Sequence, residues 1–247
     1  MIVTEYGEEN KEIILFLHGG GLSWWNYRKE AEILKDRFHV IIPVLDGHAG
    51  SDENFKSIED NAKELIDYID QECGGSVFLI GGLSLGGQIL VEMLSQRSDI
   101  CTYAIIESAL IFPMKATHRM IQPVVGMSYG LIKQKWFSKL QFASLKMNKE
   151  LFEDYYTDTC KITKENMIAF LKANSDYIVK DGLKNSKVKA AVIVGGKEQR
   201  IMKKSAKRLN ELLKASSLNI IAGYYHGELS INHPEEYIRL IDRLIEA

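Results

Sequence analysis

Short, almost purely apolar runs recur along this chain, and glycines and helical patterns follow them. The first is Ile13-Ile14-Leu15-Phe16-Leu17, leading into His18-Gly19-Gly20-Gly21. Residues 38–44 lead into Asp46-Gly47-His48-Ala49-Gly50, and residues 77–80 lead into Gly81-Gly82. Residues 103–106, 190–194 and 218–222 complete the set. A strand with one wet face alternates apolar and polar residues, whereas a strand covered on both faces reads as a continuous apolar run. Helical spacing of apolar residues fills the intervals 25–37, 57–72, 86–97, 203–213 and 234–245. Strand and helix in alternation predict a mostly parallel, doubly wound α/β sheet with helices on both faces. Residues 2–6 leave room for one further short strand ahead of the first long one. Ser57 three residues before Asp60 resembles a capping box, and Pro234 suits a first helical turn.

The segment 112–187 breaks the alternation. It contains no run that reads as a buried strand. Its 76 residues hold 10 of the 23 aromatic residues and 5 of the 8 methionines. It carries 13 Lys and Arg against 7 Asp and Glu, about +6, so the remainder of the chain stands near −8 although the whole is only −2. Within it, Leu131, Ile132, Trp136, Phe137 and Leu140 are expected to share one helical face, and Leu151, Phe152, Tyr155 and Tyr156 another. The organisation expected is a core of residues 1–111 and 188–247 carrying residues 112–187 as an inserted helical cap, or lid. That division accounts for a length of 247 residues, roughly 1.6 times an ordinary domain.

Composition narrows the classes of function. The 31 Lys and Arg nearly cancel the 33 Asp and Glu, so net charge offers no argument for nucleic-acid binding. No apolar run approaches the roughly 20 residues that cross a bilayer, so stable membrane insertion is not expected. Cys73, Cys101 and Cys160 are odd in number and widely spaced, which fits neither a disulfide framework nor a zinc ribbon. They suit a reducing compartment. The N-terminal residues lack an apolar signal core, so a cytoplasmic location is expected.

Gly82-Leu83-Ser84-Leu85-Gly86, between an apolar run and a helical pattern, matches the Gly-x-Ser-x-Gly turn that exposes a nucleophilic serine. The residues two before and two after the serine approach each other too closely for side chains, and the helix N-terminus behind it offers free N–H groups. A serine needs a base. Of the six histidines, His226 follows the last apolar run, where a loop at the carboxyl edge of the sheet reaches Ser84. His18 is expected to orient the glycine loop, and His233 to neighbour a helix start; His48 sits in another loop at the same edge, while His39 and His118 fall in no motif. Glu198 is the carboxylate of the loop after residues 190–194 and gives the chain order serine, acid, histidine. Glu107, just past another apolar run, is a rival for that role. In His18-Gly19-Gly20-Gly21, the N–H of Gly20 is the candidate to join that of Leu85 in an oxyanion hole. No Walker or dinucleotide glycine pattern is present, so no nucleotide site is expected.

Together these residues resemble the α/β-hydrolase superfamily, of the compact capped type that includes lipase/esterase-like and monoacylglycerol-lipase-like serine hydrolases. The likeness covers nearly the whole chain. It rests on the glycine loop after His18, on Asp46-Gly47-His48-Ala49-Gly50-Ser51 (similar to the family's D-x-x-G-x-G-x-S loop), on the Ser84 turn, and on the Glu198 and His226 loops. It implies an α/β-hydrolase fold with an eight-stranded or slightly shortened sheet and a cap after the strand ending near Ile106. It also implies a Ser84–Glu198–His226 triad, no cofactor and no metal. The family more often has aspartate where Glu198 stands, proline where Met202 stands and glycine where Ala49 stands. The activity expected is hydrolysis of carboxylic esters of the carboxylesterase or lipase kind, with an apolar acyl or aromatic group, through an acyl-enzyme. The same triad also serves thioesterases, amidases, C–C bond hydrolases and haloperoxidases, and the fold can serve a non-catalytic small-molecule receptor.

Overall fold

In the computed structural model, which describes residues 1–246, seven strands form one sheet. They are β1 (Val3–Tyr6), β2 (Ile13–Leu17), β3 (His39–Pro43), β4 (Val77–Leu83), β5 (Cys101–Glu107), β6 (Lys189–Gly195) and β7 (Ala215–Ile221). Their spatial order is β1-β3-β2-β4-β5-β6-β7. Only β1 runs antiparallel to its neighbour, with Val3 opposite Pro43; every other pairing is parallel. β2 and β4 sit at the centre and are almost wholly buried, which is why they read as unbroken apolar runs. Among the described residues the sheet has seven strands, the slightly shortened form of the two that the resemblance implied.

Side chains alternate between two cores, one on each face of the sheet. Leu15, Leu17 and Ile41 point into one, and Ile14, Phe16 and Ile42 into the other. The first core is covered by α2 (Ile58–Glu72) and α3 (Leu85–Gln96), and α8 (Arg200–Leu212) also contributes to it. The second is covered by α1 (Arg28–Leu34) and α10 (Pro234–Glu246). Ser57 caps α2 as anticipated: its Oγ accepts the Asp60 N–H at 2.9 Å and donates to the Asp60 carboxylate at 2.7 Å. The single helix expected over 25–37 is instead a 3-10 turn, Trp24–Tyr27, followed by α1.

Between β5 and β6 the described residues contain no strand. They form α4 (Lys115–Ile132), α5 (Lys135–Ser144), α6 (Phe152–Lys161) and α7 (Lys164–Asp176). The five residues expected on one apolar face do not share one. A break at Lys133–Gln134 puts Leu131 and Ile132 on α4 and the other three on α5. Ile132 is buried, whereas Leu131, Trp136 and Leu140 are exposed. Among the described residues no helix is long and apolar enough to cross a membrane.

Candidate active site

The carboxyl ends of β2, β4, β6 and β7 converge on one edge of the sheet. β4 ends at Leu83 and α3 begins at Leu85, so Ser84 alone makes the turn, with φ 53° and ψ −109°. For a residue bearing a Cβ this is a strained conformation. It survives because both flanks fix it. The Ser84 N–H donates to the Glu107 carbonyl at 2.9 Å, and its own carbonyl accepts the Gln88 N–H at 2.9 Å. A methyl group on Gly82 would run into the Gly86 backbone, and one on Gly86 into the Leu17 carbonyl. The two glycines are therefore required by close approach, as the motif demands.

His226 lies in the loop between β7 and the short helix α9 (Glu228–Asn232). Its Nε2 accepts from Ser84 Oγ at 2.9 Å, and its Nδ1–H donates to Glu198 Oε2 at 2.7 Å. The imidazole is half exposed, while the Glu198 side chain is 1% exposed, so the proton-accepting end faces the solvent-accessible side and the carboxylate backs it from inside. Burial alone pushes the Glu198 carboxyl up. It is outweighed by the hydrogen bond and charge of His226, the Ser108 hydroxyl and the Gly195 N–H, which together hold it below the usual carboxylate range. Ser108 Oγ and Gly195 N each donate to Glu198 Oε1 at 2.7 Å.

Glu107, the rival acid, is elsewhere. It is buried beside α9, where Oε1 accepts the Ser230 N–H at 3.4 Å and Oε2 has no partner. Burial pushes its carboxyl up to about 7. Sequence reasoning did not single out Ser108. Its position one residue beyond a strand at this edge was the available signal, and its φ of 53° turns the hydroxyl under Glu198.

His18 orients the glycine loop, as expected. Burial pushes its imidazole down to about 3, so it is neutral. Nδ1–H then donates to the Gly19 carbonyl at 2.9 Å and Nε2 accepts the Leu45 N–H at 3.1 Å. Gly20 is thereby held against Leu85, the first residue of α3, whose N–H is one of those a helix leaves unpaired. The other histidines take local partners. His48 stacks on Phe170 and His233 on Tyr224, His39 pairs with Glu5, and His118 bonds near Ser175.

Two cavities meet at Ser84 and His226. One, about 250 Å³, is lined by the glycine loop and by apolar side chains including Ile132, Leu145, Met167 and Phe170. The other, about 390 Å³, is more polar and includes Asn174, Lys197, Gln199 and Tyr225. Among the described residues no group of three or more His, Cys, Asp or Glu side chains is arranged to hold a metal ion.

Solved structures share this architecture. A bromoperoxidase from Bacillus anthracis superposes with a TM-score of 0.84 at 14% identity, over 99% of this chain and 95% of that one. An esterase from Thermogutta terrifontis gives 0.80 at 16%, over 99% and 92%. A structure from a study of carboxylesterases of Nitrososphaera gargenis gives 0.79 at 20%, over 99% and 93%. At these identities the likeness is one of fold. Sequence carries the assignment further, because the profile described as "Alpha/beta hydrolase family" matches residues 14–239, from β2 into the first turns of α10. With the match spanning the sheet, the Ser84 turn and both loops that face it, the chain belongs to the alpha/beta hydrolase family.

Proposed function

We propose that this chain is a serine hydrolase that cleaves carboxylic esters through an acyl-enzyme. The observation that carries the proposal is the continuous hydrogen-bonded line from Ser84 Oγ through His226 to the buried Glu198. Ser84 Oγ attacks the ester carbonyl carbon while His226 Nε2 takes the hydroxyl proton. The N–H groups of Gly20 and Leu85 receive the developing oxyanion, a contribution of roughly 10²–10³ in rate per donor. Collapse of the tetrahedral intermediate breaks the C–O bond, and His226 returns the proton to the leaving alcohol. Water then attacks the acyl-enzyme by the same steps, with His226 again taking and returning a proton. Glu198 fixes the imidazole tautomer and stabilises the imidazolium, and Ser108 and Gly195 keep that carboxylate ionised and aimed.

Residues 112–187 act in this reading as a cap over the carboxyl edge of the core. The more apolar cavity suits an acyl or aromatic group and the second, which carries more polar groups, the other arm of the ester. The test is a panel of nitrophenyl esters of increasing chain length, with a thioester and an anilide beside them. Ester turnover is expected to dominate, and Ser84→Ala is expected to lower kcat/KM by at least about 10⁴-fold with the fold intact. Turnover surviving in that variant would remove Ser84 from the chemistry.

A further inference from the structure

From Lys115 to Lys149 the chain holds seven Lys and Arg and not one Asp or Glu. This stretch covers α4, α5 and the turn that follows, and it also holds seven of the thirteen exposed large apolar side chains found among the described residues. On α4 they are Met120, Val124, Met127 and Leu131, at helical spacings of four, three and four, so they form a single stripe. Met127 is 79% exposed. On α5, Trp136 is 60% and Leu140 is 63% exposed, again one turn apart. A different side of α4 packs inward through Ile121, Val125 and Ile132. Such a stripe does not contribute to the core, and its cost in water goes unexplained by the fold.

A second observation points to the same ligand chemistry. Beside α5, a cavity of about 690 Å³ has Phe142, Met147, Phe152 and Tyr225 in its lining, with Lys139, Lys146 and Lys149 around it against one carboxylate, Glu228. Among the described residues none of these three lysines has a carboxylate within ion-pair distance, whereas Lys135 nearby does, in Glu153. Apolar walls beside unpaired cations suit an amphipathic anion.

We propose that the α4–α5 face is a docking surface for membranes bearing anionic lipid headgroups. The apolar stripe and Trp136 enter the boundary between headgroups and acyl chains, and the surrounding lysines meet the phosphates. A second copy of this chain is a poorer occupant, because a two-fold contact would set this one-signed charge against itself. The end of α4 and α5 also contribute Ile132, Gln141 and Leu145 to the apolar cavity at Ser84. Docking therefore brings the cavity close to the lipid, which on the ester-hydrolase reading gives it access to lipid esters.

The test is co-sedimentation of the full chain with vesicles of phosphatidylcholine alone and of phosphatidylcholine mixed with phosphatidylglycerol. Wild type is expected to bind the anionic vesicles, to release them as salt rises, and to leave neutral vesicles largely unbound. The double variant Trp136→Ser, Leu140→Ser is expected to lose at least about tenfold in vesicle partitioning while keeping turnover of a soluble short-chain ester. Ser84→Ala is expected to bind vesicles like wild type, so failure of docking and failure of the catalytic reading are separable. Absent binding, equal binding to neutral vesicles, or undiminished binding by the double variant would each overturn the proposal. So would sedimentation velocity that finds a wild-type dimer dissolved by the same double substitution, since the face would then lie between copies.

Discussion

Two glutamates at neighbouring strand ends illustrate how much a residue owes to its surroundings. Glu198 and Glu107 both stand at the carboxyl edge of the sheet, and the sequence offered both as the acid. What separates them is donors. Glu198 receives Ser108, Gly195 and His226, and its carboxyl is held below its ordinary range. Glu107 receives only a long bond from Ser230, and burial pushes its carboxyl from 4.5 up to about 7. Below about 4.5 both folded and unfolded chains hold that proton; between 4.5 and 7 the folded chain keeps a proton that the unfolded chain releases. The stability tied to this proton is thus full at low pH and is lost as pH rises to about 7. Glu107→Gln removes the ionisable group while keeping the acceptor for Ser230. It is expected to stabilise the protein at pH 8 by up to roughly 3 kcal/mol, and by little at pH 5. Urea unfolding at the two pH values measures this, and a variant weaker than wild type at pH 8 would contradict it. Little of this was legible in the sequence: Gly195 stands three residues before Glu198 in one loop, but Ser108 reaches it only once β5 and β6 lie side by side.

At the scale of elements, legibility followed burial. β2, at the centre, was readable end to end because both of its faces are covered. β7, at the sheet edge, was placed three residues late, since Ala215-Ser216-Ser217 is small and polar and pairs through its backbone with β6. β4 extends through Gly81, Gly82 and Leu83, residues read as turn. The turn from β4 to α3 was the most legible feature, because close approach dictates its residue types. Gly86 lies against the Leu17 and His18 carbonyls at the end of β2. Gly86→Ala must therefore push α3 away from β2 and carry Ser84 and the Leu85 N–H with it. A displacement near 1 Å costs about 10² in rate, so ester kcat/KM is expected to fall by that order or more. A drop in the thermal midpoint should accompany it, and an alanine variant with wild-type kinetics would contradict the close packing. The helices of 112–187 were the least legible. Their apolar residues were read as packing faces, yet Trp136 and Leu140 face solvent. Helical spacing marks a stripe without saying what covers it.

Across the whole molecule, a net charge of −2 conceals a division. An acidic α/β core presents its carboxyl edge, with Ser84, Glu198 and His226 brought together from loops 28 to 142 residues apart, to a basic helical segment. The fold class was readable at this scale because alternation of buried strands and helices admits few topologies. The two cavities at Ser84 were not, because each is assembled from residues distant in sequence. The central claim is that one serine, activated by His226, is the nucleophile. Intact-protein mass spectrometry after a fluorophosphonate probe tests it most directly. The account predicts a single adduct, located by peptide mapping on Ser84, absent from Ser84→Ala and greatly slowed in His226→Ala. An adduct on another residue, or labelling undiminished by either substitution, would contradict it.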